Sequence, residues 1–134
     1  MDSKKNVSNP RKKLGDAGER LAAEKLRQSG YRLVETNWRC RYGELDIVAW
    51  HGTTLVFVEV RTRRGEEYGT PEESVTPRKQ QTLYTLGEAY LQAHPELLDE
   101  RQEPPDCRFD LVAIQLDRGG KLVRLEVLEN ILEG

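Results

Sequence analysis

Two acidic residues interrupt the two most hydrophobic runs of the chain: Asp46 stands in GELDIVAW and Glu59 in LVFVEV. Side chains alternate faces along a strand, and a two-residue turn within HGTT sets a register that places Asp46 directly opposite Glu59. Two ionised carboxylates at about 5 Å repel by roughly 3 kcal/mol at an effective dielectric of about 20, more than the ~0.2–1 kcal/mol of a favourable cross-strand pair. We therefore expect the charges either to be screened by solvent or to be neutralised by a divalent cation such as Mg²⁺ or Mn²⁺.

The same register gives the two strands two different faces. One face is predicted to be purely apolar and able to supply a core by itself; its members are Leu45, Ile47, Ala49, Val56, Val58 and Val60. The other face carries the two acids among further large apolar residues, Val48 and Phe57 included. A second layer of structure should therefore cover the acidic face as well.

A glutamate and a lysine stand out on the two predicted helices. Glu19 has mostly small or apolar neighbours at helical spacing, which indicates a third carboxylate near the acidic pair; a solvated flanking glutamate is the alternative. Lys79 begins an apolar stripe in the first turn of its helix, where the helix dipole disfavours cations. This placement favours a phosphate-holding role, or else a lysine whose stem lies on the core edge with its amine in water.

Basic residues gather where the strands end. Arg61, Arg63 and Arg64 follow the second acidic strand, and Arg41 lies in the turn that precedes the first. Such a group can contact a nucleic-acid backbone, although an ordinary charged loop has the same composition. The overall charge of −2 argues against a generic basic coat but permits a local patch.

The elements that position these residues follow the order α-β-β-β-α-β-β. They are a helix over residues 11–29, strands over 31–39, 43–51 and 54–64, a helix from the Thr76 cap to about His94, and strands over 108–116 and 122–129. This order predicts an α/β fold with a mixed central sheet flanked by helices. We expect one domain over residues 11–134, preceded by a disordered basic tail over residues 1–10.

Composition narrows the class of protein further. No segment reaches the length of a membrane span, and the basic N-terminus is not followed by the apolar stretch of a secretory signal. Cys40 and Cys107 form neither a disulfide framework nor a zinc ligand set. A soluble protein of the reducing cytoplasm is expected, with the oligomeric state open and a homodimer one option.

The motifs GE, GELD, FVEV and RFD occur in this order between about residues 12 and 116. In this combination the chain closely resembles the YraN-like family of small bacterial proteins, which is regarded as endonuclease-like. That family looks like a member of the PD-(D/E)xK nuclease superfamily, with its restriction-endonuclease-like α-β-β-β-α-β core. The resemblance thus implies the same core here, extended by a C-terminal strand.

The resemblance also implies roles for individual residues. Asp46 matches the first acid of the motif, Glu59 matches its second, and Glu19 matches a helix carboxylate that often completes the metal site. The backbone carbonyl of Val60 would be a further ligand of Mg²⁺ or Mn²⁺. Lys79 matches a helix position that can supply an accessory cation.

One position departs from the motif, because Arg61 stands where the family pattern has lysine. Arginine does not act as a base, although it binds phosphate in a fork. Either the metal acidifies its own water with Glu44 or Glu19 receiving the proton, or Lys79 replaces the missing lysine, or catalysis is lost and binding remains.

The function implied is a metal-dependent endonuclease-like protein that hydrolyses phosphodiester bonds of DNA, with Glu19, Asp46, Glu59, Arg61 and Lys79 at the reaction. A non-catalytic nucleic-acid-binding module on a degenerate nuclease fold is the alternative. A third class is a scaffold that contacts a protein partner through the acidic loop GEEYGTPEE.

Overall fold

A five-stranded sheet with one long helix on each face makes up the chain. The computed structural model describes residues 10–65 and 69–132, and its elements are α1 (Pro10–Gln28), β1 (Arg32–Cys40), β2 (Gly43–His51), β3 (Thr54–Arg64), α2 (Pro77–Ala93), β4 (Cys107–Leu116) and β5 (Leu122–Leu128). The predicted tail lies outside the described residues except for Pro10, at which α1 begins. Three residues of the acidic loop, 66–68, also lie outside them, so the tail and the scaffold role stay predictions.

The sheet is mixed, as the element order predicts. Its strand order is β1-β2-β3-β4-β5, and every neighbouring pair is antiparallel except β3 and β4, which are parallel and joined through α2. The predicted α/β class is confirmed, and the architecture is consistent with a restriction-endonuclease-like fold. The predicted extra strand is β5, which pairs antiparallel with β4.

Each face of the sheet has its own buried core. On one face Ala22 and Leu26 of α1 pack against a cluster formed by Tyr31, Ile47, Ala49, Val56, Val58, Val112 and Ile114. On the other, Leu83, Leu86 and Tyr90 of α2 pack against a cluster formed by Leu45, Val48, Leu55, Phe57, Phe109 and Leu132. The expectation that the acidic face is also covered is confirmed.

The start of α2 is fixed by its cap. The Thr76 hydroxyl accepts a 3.2 Å hydrogen bond from the backbone N–H of Lys79, and Pro77 occupies the first helical position, where its missing N–H removes no bond. The helix ends at Ala93, shortly before Pro95. This cap places Lys79 on the first turn, facing the end of β3.

The hairpin register is as predicted between His51–Thr54 and Val48–Phe57, and the β2–β3 pairing continues to Ile47–Val58. The predicted faces are wrong at Leu45, which packs on the α2 side although Ile47, two residues away, packs on the α1 side. Two residues of a regular strand at this spacing would share a face.

The alternation of side chains between the two faces of β2 is therefore interrupted at Asp46. The neighbouring strand is irregular at the same place, because Asn37 lies between the β1–β2 pairs Thr36–Ile47 and Trp38–Leu45 and has a φ of 54°. Asparagine tolerates this left-handed conformation better than most residues. The irregularity turns Asp46 away from the position that a regular strand would give it.

A buried ionic network closes the sheet at the N-terminal end of β4. Asp110 is fully buried and accepts hydrogen bonds from Tyr31 Oη at 2.7 Å, Arg108 Nε at 2.9 Å and Asn130 N at 2.9 Å. His51 Nδ1 lies 2.7 Å from Arg108 Nη2 and its ring stacks on that of Tyr31. Asp110 thus forms a buried ion pair with Arg108.

Within residues 10–65 and 69–132, no helix is both long and apolar enough to cross a membrane. Cys40 and Cys107 are both free thiols.

Candidate metal and phosphate site

A cavity of about 810 Å³ opens where α1, β2, β3 and α2 meet. Every predicted site residue except Arg41 lines this cavity, and so does Glu44. The predicted residues in the lining are Glu19, Asp46, Glu59, Val60, Arg61, Arg63, Arg64 and Lys79. Residues far apart in the chain thus face one space that combines four carboxylates with four cationic side chains. Arg41 lies on the β1–β2 turn, outside this lining.

Asp46 and Glu59 share the cavity, but they do not form the cross-strand pair predicted for them. The β2–β3 pairing stops at Ile47–Val58, and Asp46 Oδ2 instead accepts a 2.8 Å hydrogen bond from the backbone N–H of Val60. The prediction of direct opposition is wrong because the reset of β2 turns the Asp46 side chain towards the β3 backbone. Both side chains still line the same cavity.

The Asp46 carboxyl lies in an environment that disfavours its charge. Burial is the largest cause and the negative charge of Glu59 the second; together with Glu19 and Glu44 they raise the pKa of Asp46 to about 7. The hydrogen bond from the Val60 N–H acts in the opposite direction. A carboxyl that titrates near neutral pH in a cleft is typical of functional sites.

Glu59 is compensated by cations of the chain itself. This side chain is only 4% exposed, and its Oε2 lies 2.9 Å from Arg61 Nη2 and 3.3 Å from Lys79 Nζ. Lys79 therefore reaches Glu59 from α2. A divalent cation is not needed to balance Glu59 in this arrangement.

Glu19 is held over the cavity by a close approach of α1 to β3. A Cβ added at Gly18 would collide with Thr62 Oγ1, so only glycine permits this approach. Burial is the main cause that raises the pKa of the Glu19 carboxyl, and Glu44 and Asp16 add to it. The side chain of Asn37, acting as a hydrogen-bond partner, lowers the same pKa.

Asn37 is the residue that reasoning from the sequence missed. It supplies both the irregularity opposite Asp46 and the polar partner of Glu19. The available signal was an asparagine inside the strand-forming run RLVETNWR, where it is disfavoured unless the backbone is unusual.

The arginines at the end of β3 differ in what they contact. The Nε atoms of Arg61 and Arg63 are buried and lack a hydrogen-bond partner within the described part of the chain. Arg64 Nε donates a 3.1 Å hydrogen bond to the carbonyl of Arg118 in the turn after β4. Arg61 and Arg63 both line the cavity, and a guanidinium can bind phosphate through its N–H groups.

The oxygen donors of the cavity suit a hard divalent cation. Asp46 and Glu59 supply carboxylates, Val60 supplies a backbone carbonyl, and Mg²⁺ typically takes one or two carboxylates and completes its shell with water and substrate phosphate. No three histidine, cysteine, aspartate or glutamate side chains form a preassembled metal cluster in the ranges described. These oxygen donors fit the cation once Arg61 and Lys79 no longer contact the Glu59 carboxylate.

Similarity to known proteins extends over most of the chain. The sequence matches the Uncharacterised protein family UPF0102 over residues 18–114. This chain belongs to that family. A UPF0102 protein of Herpetosiphon aurantiacus is 49% identical over 115 residues, covering 84% of this chain and 90% of the relative.

Two further relatives have comparable similarity. The UPF0102 protein of Symbiobacterium thermophilum is 46% identical over 119 residues, covering 89% of this chain and 95% of the relative. That of Pelotomaculum thermopropionicum is 44% identical over 124 residues, covering 92% and 98%. UPF0102 is a PD-(D/E)xK nuclease-like group, so the resemblance inferred from the sequence is confirmed. The relatives carry only the family name, so activity must be argued from the site.

Proposed function

We propose that this UPF0102 protein is a metal-dependent endonuclease-like enzyme that hydrolyses phosphodiester bonds of DNA. The observation that carries the proposal is the convergence of Asp46, Glu59 and Glu19 with Arg61 and Lys79 on one cavity. Carboxylates alone would repel a phosphate and cations alone would only bind it. Their combination can hold a cation and a phosphate side by side, which metal-assisted hydrolysis of a phosphodiester requires.

The cation proposed is Mg²⁺ or Mn²⁺, held by the carboxylates of Asp46 and Glu59 and by the Val60 carbonyl. When bound, it supplies a water of lowered pKa and neutralises charge on the phosphate. Arg61 and Lys79 turn from Glu59 to the phosphate oxygens, Arg61 as a fork and Lys79 as a compact charge. Arg63, which lines the same cavity, contacts a neighbouring phosphate.

The proton of the attacking water needs an acceptor other than Arg61, whose guanidinium stays protonated. We assign this role to Glu19, which lines the cavity from α1. Its burial raises its pKa, which makes the carboxylate a better proton acceptor than a solvated glutamate. The side chain of Asn37 lowers the same pKa as a hydrogen-bond partner, but burial outweighs it.

Cleavage assays test the proposal directly. Labelled branched, single-stranded and duplex DNA are incubated with the protein and Mg²⁺ or Mn²⁺, alongside Asp46→Asn and Glu59→Gln variants with unchanged unfolding temperature. Metal-dependent cleavage that both variants lose is expected. Cleavage that survives both substitutions comes from a contaminant, and no cleavage by the wild type under any of these conditions would contradict hydrolysis.

A non-catalytic nucleic-acid-binding module is the second candidate, and one observation favours it. Arg61, in place of the motif lysine, lies 2.9 Å from Glu59 and neutralises the carboxylate that a metal needs. The Arg61→Lys variant distinguishes the candidates. Gained or faster cleavage indicates an enzyme slowed by arginine, whereas continued inactivity with unchanged DNA affinity indicates a binding module.

We place this activity in the cytoplasm, the compartment that holds the chromosomal DNA of a bacterium. The two free thiols, Cys40 and Cys107, suit a reducing compartment. Fractionation of cells that express a tagged copy tests the location.

A further inference from the structure

The turn between β1 and β2 carries an exposed aromatic ring held by its neighbour. Tyr42 is 48% exposed, the Arg41 guanidinium carbon lies 4.8 Å from its ring centroid, and Arg41 Nη2 donates a 2.6 Å hydrogen bond to its hydroxyl. These contacts fix the ring while leaving much of it open to solvent. A fixed and exposed aromatic surface is suited to stacking.

The position of this ring relative to the cavity is what separates it from other exposed apolar residues. Glu44 and Asp46, two and four residues after Tyr42, both line the cavity, and Asp46 lies about 10 Å along β2 from Gly43, the residue next to Tyr42. The other exposed tyrosine in the described ranges, Tyr84, packs against Phe109 and lines a different cavity. Tyr42 thus stands within a few nucleotides of the acidic pair along a DNA strand.

The turn is also anchored and basic. Gly43 lies against Leu86 of α2, where an added Cβ would be 3.7 Å from Leu86 Cδ1, so the turn rests on the body of the domain. Arg39, near the end of β1, is largely exposed, and its Nε lies 3.5 Å from Glu44 Oε2. The arginines on either side of the ring attract the phosphate backbone of a nucleic acid, and the ring offers a surface on which a base can stack. Proteins that bind single-stranded nucleic acids combine these two features.

We propose that Tyr42, braced by Arg41, is a stacking platform for an unpaired base of the DNA strand that enters the cavity. This rests on the proposed function and narrows its substrate class to DNA with single-stranded nucleotides beside the cleavage point. Bases of an intact duplex already stack on both faces, so the ring finds a free base face only where pairing is lost. Arg41, which lies outside the cavity lining, acts here as a positioning residue.

Fluorescence anisotropy tests the platform without requiring cleavage. The full chain is titrated, in EDTA at low salt, against a labelled single-stranded oligonucleotide and against the same sequence as a blunt duplex. Tyr42→Ala should weaken single-strand binding by about tenfold, within the range measured for base stacking, and change duplex binding by less than about twofold. Tyr42→Trp should keep single-strand affinity, and Tyr84→Ala, a matched exposed tyrosine, should leave both affinities unchanged.

The outcomes distinguish a failure of the stacking role of Tyr42 from a failure of the proposed function. Wild-type protein that binds neither DNA at low salt overturns the proposed function and the platform with it. Binding that Tyr42→Ala leaves intact, or weakens equally for both DNAs with an unchanged unfolding temperature, overturns the platform alone. A loss confined to the single strand, restored by tryptophan, supports it.

Discussion

Lys79 Nζ lies 3.3 Å from Glu59 Oε2, on a carboxylate oxygen that Arg61 also contacts at 2.9 Å. The cations that would bind a substrate phosphate therefore neutralise the carboxylate that would bind a metal. One carboxylate oxygen cannot serve both at full strength, so metal and lysine should compete for Glu59. Phosphate that draws Lys79 away would favour the metal.

The first prediction follows from this competition. Lys79→Met keeps the apolar stem but removes the charge, so divalent cations should bind severalfold more tightly. The measurement is the rise in unfolding temperature with Mn²⁺ or Mg²⁺, compared with each variant's own metal-free value, because a ligand of the folded state stabilises it by mass action. Lys121→Met, in the exposed turn before β5, is the control and should titrate like wild type. Equal or weaker metal binding in Lys79→Met would contradict the competition.

A second prediction concerns the pH dependence of stability. The pKa of Asp46 is raised from 3.8 to about 7 in the folded state, so the folded chain holds this proton more tightly than the unfolded chain. The resulting stabilisation is complete below the unfolded pKa and is lost as pH rises through about 7. At ~1.4 kcal/mol per pH unit the loss amounts to at most about 4 kcal/mol.

Asp46→Asn removes this pH dependence and retains an oxygen for the Val60 N–H. In EDTA the variant should be more stable than wild type at pH 8, by about 1–4 kcal/mol, and similar to it at pH 4. Urea unfolding at both pH values measures the difference. Asp117→Asn is the control, since Asp117 also accepts a backbone N–H, from Lys121, but in an exposed turn. A variant that is less stable at pH 8 would refute the burial argument.

Much of the architecture was predictable because helix caps and tight turns depend on a few neighbouring residues, and no tertiary contact overrides them there. The Thr76 cap and the proline after it define the start of α2, and the HGTT turn defines the hairpin register between His51–Thr54 and Val48–Phe57. The element order then restricts the sheet to few topologies.

The failure of prediction is confined to the site. Strict alternation placed Asp46 opposite Glu59, but Asn37 adopts a left-handed backbone and β2 resets its faces beside it. Such an irregularity involves two neighbouring strands, and a pattern read along one strand does not contain it. The compensation of Glu59 by Lys79 was likewise set by packing between α2 and β3.

A third prediction tests the close approach of α1 to β3. Gly18→Ala gains up to about 1 kcal/mol of helix propensity but brings a Cβ into Thr62 Oγ1, and overpacking costs about 1–3 kcal/mol. We expect a net loss of stability and weaker DNA cleavage, because Glu19 moves with the helix. Gly15→Ala is the matched control, since its Cβ would meet nothing within 4 Å, and it should stabilise the chain. Equal effects of the two alanines would refute the close approach.

The fourth prediction compares two carboxylates that each pair with an arginine. Asp110 is fully buried and bound to Arg108, whereas Glu72 is 41% exposed and bound to Arg124 through contacts of 2.8 and 2.6 Å. By distance the exposed pair is the shorter. Burial should nevertheless decide the outcome, because removing one partner of a buried pair leaves an uncompensated charge out of water.

Asp110→Ala should therefore cost about 3–5 kcal/mol of unfolding free energy, and Glu72→Ala no more than about 1 kcal/mol. Urea unfolding measures both, and added salt should shrink the Glu72 effect while leaving that of Asp110 nearly unchanged, since buried charges are screened less. Tyr31→Phe, which removes one donor to Asp110, should fall between them at about 1–3 kcal/mol. Comparable losses of stability for Asp110→Ala and Glu72→Ala would contradict this. They would mean that Arg108 becomes hydrated when Asp110 is removed, so that the buried pair contributes no more than an exposed one.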